Sequence, residues 1–329
     1  MKIIHTLLIL ASVTIWVFVS PAMAGNDLKT QLLTTMAERK HLQDKIKNVA
    51  WARRSYRRIR GRVDRFVEKT KNDPDYVTSR MLLNWDTHFE TTLVENSRTV
   101  GGKGRADVPT PRFEGARDWA SATHSIARFP KGRPYNDKDG KIYARNKSTD
   151  EWEWTDPGNT ASQIRREHNT ILKLAADAAF VYWLSGEDKY ADLAAPILVT
   201  FMKGFVATTP PEFVGSGKKK IIGPTTFEVI HEGHARHAAV AYDFLKPAFA
   251  SRNLDTGFIE EGFKRWTDRI IEGGFSSGNW NMNQAKTIAF TGLVLKPNRA
   301  YSDNKGREYY ADILLNADLS TQKGLTHVI

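Results

Sequence analysis

Cysteine is absent from the 329-residue chain. That excludes disulfides, a reactive thiol, iron–sulfur clusters and cysteine-ligated zinc. Long apolar runs are nearly absent as well. The run from Leu7 to Val19 is too short for a comfortable bilayer span, and no later segment is long and apolar enough to be one. No short repeat or low-complexity linker interrupts the rest, and a chain of this length can bury one large core without covalent staples.

The front of the chain is a separate device. Lys2 and His5 precede the apolar run, and Pro21-Ala22-Met23-Ala24 places small residues where a signal peptidase reads them. Residues 1–24 are therefore expected to be a signal peptide cleaved before Gly25, with residues 25–329 secreted or periplasmic and without a stable membrane span.

The formal charge of +11 is concentrated in one place. Nine basic residues (Lys45, Lys47, Arg53, Arg54, Arg57, Arg58, Arg60, Arg62 and Arg65) stand against the single acid Asp64 in the stretch that they bound. Val49, Ala52, Tyr56, Ile59, Val63 and Phe66 recur there at steps of three and four, which predicts an amphipathic helix with arginines on its outer face. A solvated basic face is the simpler reading. Export argues against nucleic acid as the partner, whereas an acidic polysaccharide or an anionic cell surface remains compatible.

Periodicity predicts two helices between Gly25 and Lys71, then a turn at Asn72-Asp73-Pro74-Asp75 that restarts a helix through Tyr76, Met81, Leu82 and Trp85. A long loop follows at 101–157, rich in Gly, Pro, Arg, Lys and aromatics, and is read as an ordered excursion over one mouth of the domain. Helices are then predicted over Ser162–Ser185 with a stop at Gly186, over Asp188–Phe205, over Thr226–Leu245 before Pro247, over Asp255–Ile271, over Trp280–Leu295 and over Gly306–Leu315. The first of these buries Ile164, Ile171, Leu174, Ala178 and Tyr182. Short connections between such helices imply antiparallel neighbours and an all-α fold.

Three constellations could bear chemistry. The first is Gly273-Gly274-Phe275-Ser276-Ser277-Gly278-Asn279-Trp280-Asn281-Met282-Asn283-Gln284, a Gly/Ser loop delivering amides and a tryptophan to a helix N-terminus. Free N–H groups and the positive end of the helix dipole favour an anion there; Asn279 and Asn281 can cap or donate, and Trp280 offers a flat face. The plain alternative is an N-cap beside a buried tryptophan. The second is His231-Glu232-Gly233-His234-Ala235-Arg236-His237, in which the second histidine falls at i+3, not at the i+4 of a zinc-protease helix, and no third ligand is identifiable, so no metal is expected. The third pairs Arg112 and Arg117 with Trp119 and Trp152 in the long loop, suited to subsites along an acidic sugar chain or equally to loop-anchoring salt bridges. Lys218-Lys219-Lys220 reads as a solvated loop tip.

Taken in order, the Asn279-Trp280 helix start, the step Tyr182-Trp183-Leu184-Ser185-Gly186-Glu187-Asp188-Lys189-Tyr190-Ala191 and the helix end Ala241-Tyr242-Asp243-Phe244 resemble the N-terminal helical domain of heparinase II/III-like polysaccharide lyases, a group that includes alginate lyases. The resemblance spans about residues 75–329. It implies an α/α toroid of antiparallel helical hairpins and β-elimination on a uronate-containing acidic polysaccharide, alginate first and heparin or heparan-type glycosaminoglycans second, with no organic cofactor. Asn279 would neutralise the uronate carboxylate, Trp280 would shape the adjacent subsite, and His231 would face the cleft. The family's proton-transferring tyrosine and its C-terminal β-sheet domain have no counterpart before Ile329, so an incomplete toroid is expected. Two rival readings stay open on the residues alone. One is an α/α-barrel glycoside hydrolase, which needs two carboxylic acids flanking the scissile bond; the other is a non-catalytic carbohydrate-binding domain.

Overall fold

A computed structural model describes residues 34–78, 81, 157–207 and 233–328 except 275, together with short strand backbones between residues 90 and 154. Helices dominate, as the 3.6-residue apolar periodicity requires: α1 Met36–Asn48, α2 Ala50–Asn72, α3 Pro157–Ser185, α4 Asp188–Ala207, α5 Gly233–Ser251, α6 Gly257–Gly273, α7 Gly278–Leu293 and α8 Arg307–Asn316. The fold is all-α. Within the stretch read as a long loop, and just ahead of it, the described residues form three two-stranded antiparallel ladders that build no layer. They pair Glu90–Thr92 with Arg105–Asp107, Val94–Glu95 with Arg98–Thr99, and Tyr143–Arg145 with Trp152–Trp154.

Local chemistry explains most of the helix ends. Thr35 and Glu38 form a reciprocal capping box at the start of α1, with Thr35 N–H donating to Glu38 Oε2 at 2.6 Å and Glu38 N–H donating to Thr35 Oγ1 at 3.2 Å. α3 starts at Pro157, five residues before the predicted start, at the first helical position, where a missing N–H costs nothing. It stops where predicted, with Gly186 N–H donating to Tyr182 O at 2.7 Å, and the two-residue connection folds α4 back along it.

Pro247 is the clear departure. The sequence reading ended a helix before it, and placed Ala241-Tyr242-Asp243-Phe244 at a helix end, yet α5 runs through Pro247 to Ser251. The lost N–H and the ring's crowding of the previous turn are offset by burial of Ala248 and Phe249 immediately after, the latter packed 6.2 Å from the Tyr242 ring. The predicted start of this helix at Thr226 lies outside the described residues, as do residues 1–33, including the whole expected signal peptide.

The core is continuous across α2 to α8. Trp266 of α6 is fully buried between Phe201 (centroids 6.1 Å apart) and Phe205 (4.8 Å) of α4. The basic helix α2 buries Ala52 and Val63 and rests Tyr56, Ile59 and Phe66 against this core, as the spacing predicted. Two of its arginines are not simply outward. Arg60 reaches Glu187 in the α3–α4 turn at 3.0 Å, and Arg62 pairs with Asp177 of α3, so the charge-rich helix is latched to its neighbours at both points.

α8 docks through a glycine. A β-carbon at Gly292 of α7 would sit 2.5 Å from Tyr310 Cβ, closer than carbon atoms approach, so the absent side chain is what admits the buried tyrosine.

Candidate functional site at the amide-rich start of α7

Ser277 occupies the N-cap position of α7 with extended backbone (φ −126°, ψ 152°) and makes no side-chain capping bond. Gly278 follows at φ 61°, a left-handed conformation that explains a glycine at this point. The sequence reading offered Asn279 and Asn281 as caps or donors. Both lie in the first helical turn, past the cap, and the structure divides the amides of this turn into two groups by burial.

Asn281 and Gln284 point inward. Asn281 Nδ2 donates to Lys323 O at 2.8 Å, while Asn281 Oδ1 accepts from Lys323 N–H at 2.7 Å. Gln284 Nε2 donates to Thr321 O at 2.9 Å and to Gln322 Oε1 at 2.8 Å. Gln322 is itself fully buried and donates to Lys323 O at 2.7 Å. These bonds fasten the turn after α8, which is closed by the Asp318–Lys323 bridge, onto the first turns of α7. Buried amides so fully satisfied hold the helix start in one position.

Asn279 is different. Its side chain is exposed and makes no hydrogen bond among the described residues, while its carbonyl accepts from Asn283 Nδ2 at 2.9 Å. Trp280 is half-buried against the core. Along the same outward face, Asn283 Oδ1 accepts from Lys286 Nζ at 2.8 Å. Burial and then the Arg236 guanidinium of α5 push the Lys286 ammonium down from its usual value.

His237, next to Arg236, was read in sequence only as part of a metal-like cluster. Burial, followed by the charges of Arg236 and Lys173 and opposed by Asp177, pushes it down to about 4, so it is a neutral imidazole at pH 7. His234 of the same cluster faces the core: it is buried and stacks on Phe201 at 6.1 Å, with His168 edge-on to the same ring at 5.8 Å. Burial and then His234 push His168 down to about 3. Among the described residues no three His, Asp or Glu converge as a metal site would need. His231, Arg112, Arg117 and Trp119 lie outside the described residues, and Trp152 is described only as strand backbone.

Several described tyrosines are committed to carboxylates. Tyr242 and Tyr301 donate to Glu260 at 2.7 and 3.0 Å, and Lys296 completes that cluster at 3.0 Å. Tyr310 donates to Asp268 at 2.8 Å. Burial and the adjacent acid raise all three phenols, so they stay protonated at neutral pH. Glu260 is only 3% exposed and held by these three partners.

Fold and site together define an all-α protein with an exposed amide at a helix start that buried amides hold in place. The chain matches no family model, no curated protein and no solved structure.

Proposed function

We propose that the chain is the helical, α/α-toroid part of an exported polysaccharide lyase that cleaves a uronate polymer by β-elimination, with alginate the preferred substrate and heparan-type chains the second. Elimination passes the proton at C5, α to a carboxylate, to a basic His or Tyr side chain and expels the 4-linked sugar as a tyrosine protonates its oxygen, roles for which this chain offers no assigned residue. An ionised carboxylate resists the added charge of the enolate-like state, so donors must already be aimed at it. The observation that supports this reading is the split among the α7 amides: Asn281 and Gln284 are spent on locking the helix start, which leaves Asn279 outward at the positive end of the dipole. Lys286, bonded to Asn283 on the same outward face, adds positive charge two turns along the helix. Trp280 shapes the neighbouring subsite, and Arg112, Arg117 and His231 remain proposed contacts to the acidic chain.

The test is direct. Incubation of alginate with a form that also carries the family's proton-transferring tyrosine is expected to produce unsaturated uronate ends absorbing at about 235 nm, the conjugated acid that α-proton removal leaves. Reducing ends appearing without that absorbance support the glycoside hydrolase reading, and binding without either product supports a carbohydrate-binding domain.

A further inference from the structure

On the outward side of α2, Arg54, Arg58, Gly61 and Arg65 recur at steps of four, three and four, so they form one exposed line along the helix. Gly61 stands in the middle of this helix, where glycine costs about 1 kcal/mol relative to alanine. Nothing among the described residues asks for it. Its backbone is ordinary helix, and a β-carbon built there meets no atom within 4 Å. On a helix surface the neighbours of position 61 lie three and four residues away, and here they are Arg57, Arg58, Asp64 and Arg65. Asp64 is already engaged, accepting from the Tyr190 hydroxyl at 2.6 Å and pairing with Arg60 at 3.7 Å. The guanidinium groups of Arg54, Arg57, Arg58 and Arg65 are exposed and make no hydrogen bond or ion pair among the described residues. The flanking arginines differ: Arg53 donates to the carbonyls of Ile46 and Lys47, Arg60 pairs with Glu187, and Arg62 with Asp177. Unbalanced positive charge therefore forms a ridge one helix wide and about 16 Å long, with a notch at Gly61.

We propose that this ridge is an attachment site for an acidic polysaccharide chain, which crosses α2 at Gly61. The missing side chain lets a carboxylate or sulfate reach down between Arg57, Arg58 and Arg65, whose planar forks hold such groups through paired hydrogen bonds. Arg54 meets the next acidic group along. A second copy of this chain does not fit, because two such ridges repel. An anionic bilayer fits poorly as well. The helix turns its apolar stripe into the core, and its one exposed large apolar side chain, Trp51, has Lys45 lying over the ring at 5.1 Å. A thin chain matches a line of charge better than a plane does. Among thin polyanions, the choice of a polysaccharide rests on the acidic-polysaccharide reading above. The ridge adds to that reading a second hold on a long chain, which slows its escape from the protein.

The test is calorimetric titration of the full chain with an alginate hexamer and with a heparin octasaccharide, in an Asn279→Ala background that removes the proposed α7 contact. Gly61→Gln fills the notch and leaves the net charge unchanged. Arg58→Gln removes one guanidinium beside the notch, and Lys71→Gln removes one charge at an exposed position elsewhere on the helix. Gly61→Gln and Arg58→Gln are each expected to weaken binding at least about fivefold, and Lys71→Gln less than about twofold. The urea midpoint of Gly61→Gln should match or exceed that of its parent, since a better helix former replaces an exposed glycine. Parent-like binding by Gly61→Gln, or equal weakening by Arg58→Gln and Lys71→Gln, overturns the site in favour of diffuse attraction. Tighter binding of a DNA duplex or of phosphatidylglycerol vesicles than of either oligosaccharide overturns the choice of partner. Production of unsaturated ends is measured separately, with Asn279 intact and in a form that also carries the proton-transferring tyrosine. Gly61-dependent binding with no such product supports the ridge and overturns the lyase reading; product formation with binding indifferent to Gly61 does the reverse.

Discussion

Asn281 and Lys323 exchange two hydrogen bonds across 42 residues of sequence, the amide nitrogen donating to the Lys323 carbonyl at 2.8 Å and the amide oxygen accepting the Lys323 N–H at 2.7 Å. The pairing mimics one rung of a sheet and ties the chain after α8 to the first turn of α7. Asn281→Ala leaves a buried donor and acceptor unmatched and is expected to cost about 2–4 kcal/mol, read as a lower midpoint in urea unfolding. Asn281→Asp should cost as much, since it sets an oxygen against the Lys323 carbonyl. Asn279→Ala, at an exposed position two residues away, should leave the midpoint within about 0.5 kcal/mol of the parent.

Gly292 offers a test of packing between α7 and α8. An alanine there must displace the Tyr310 Cβ, which is backed by the core and by the bond from its hydroxyl to Asp268. Gly292→Ala normally favours a helix by about 1 kcal/mol, but overpacking outweighs that gain. The expected outcome is a net loss of about 1–3 kcal/mol in thermal or urea unfolding. A stabilised variant would show that α8 moves away freely.

The buried histidine pair predicts a pH dependence whose sign is fixed. His168 in the folded protein is pushed down to about 3 by burial and then by His234, against 6.5 for an unperturbed histidine. Between those values the unfolded chain binds the proton and the folded chain does not, so stability is full above about pH 6.5 and falls as pH drops toward 3. Urea midpoints should decrease steadily from pH 7 to pH 4.5. His168→Leu, which keeps an apolar group edge-on to Phe201, should flatten that slope even if it lowers stability at pH 7.

Much of the fold is legible in the sequence because its signals are local. The apolar stripe Ala52, Tyr56, Ile59, Val63, Phe66 needs only neighbours at three and four residues, and Gly186 marks a helix end by its own backbone. What is not legible depends on partners distant in sequence. Nothing near Pro247 says that Ala248 and Phe249 will be buried deeply enough to carry the helix onward. Nothing near Asn281 says that its amide belongs to Lys323, so all the amides of the motif look alike until burial separates them. Arg60 and Arg62 look like outward charges until Glu187 and Asp177 arrive from other elements. The electrostatic influence of Arg236 on Lys286 has the same origin: they lie on different helices that come together when α5 packs beside α7.

The proposed stabilisation of the eliminating carboxylate rests on one amide, so the most direct measurement is the rate at which unsaturated uronate ends form from alginate in a form that also carries the proton-transferring tyrosine, with Asn279 intact against Asn279→Ala, followed by absorbance at about 235 nm with unfolding midpoints determined in parallel. The account predicts a loss on the order of 100-fold or more in the variant, with an unchanged midpoint. Turnover within about twofold of the parent would contradict the role given to Asn279.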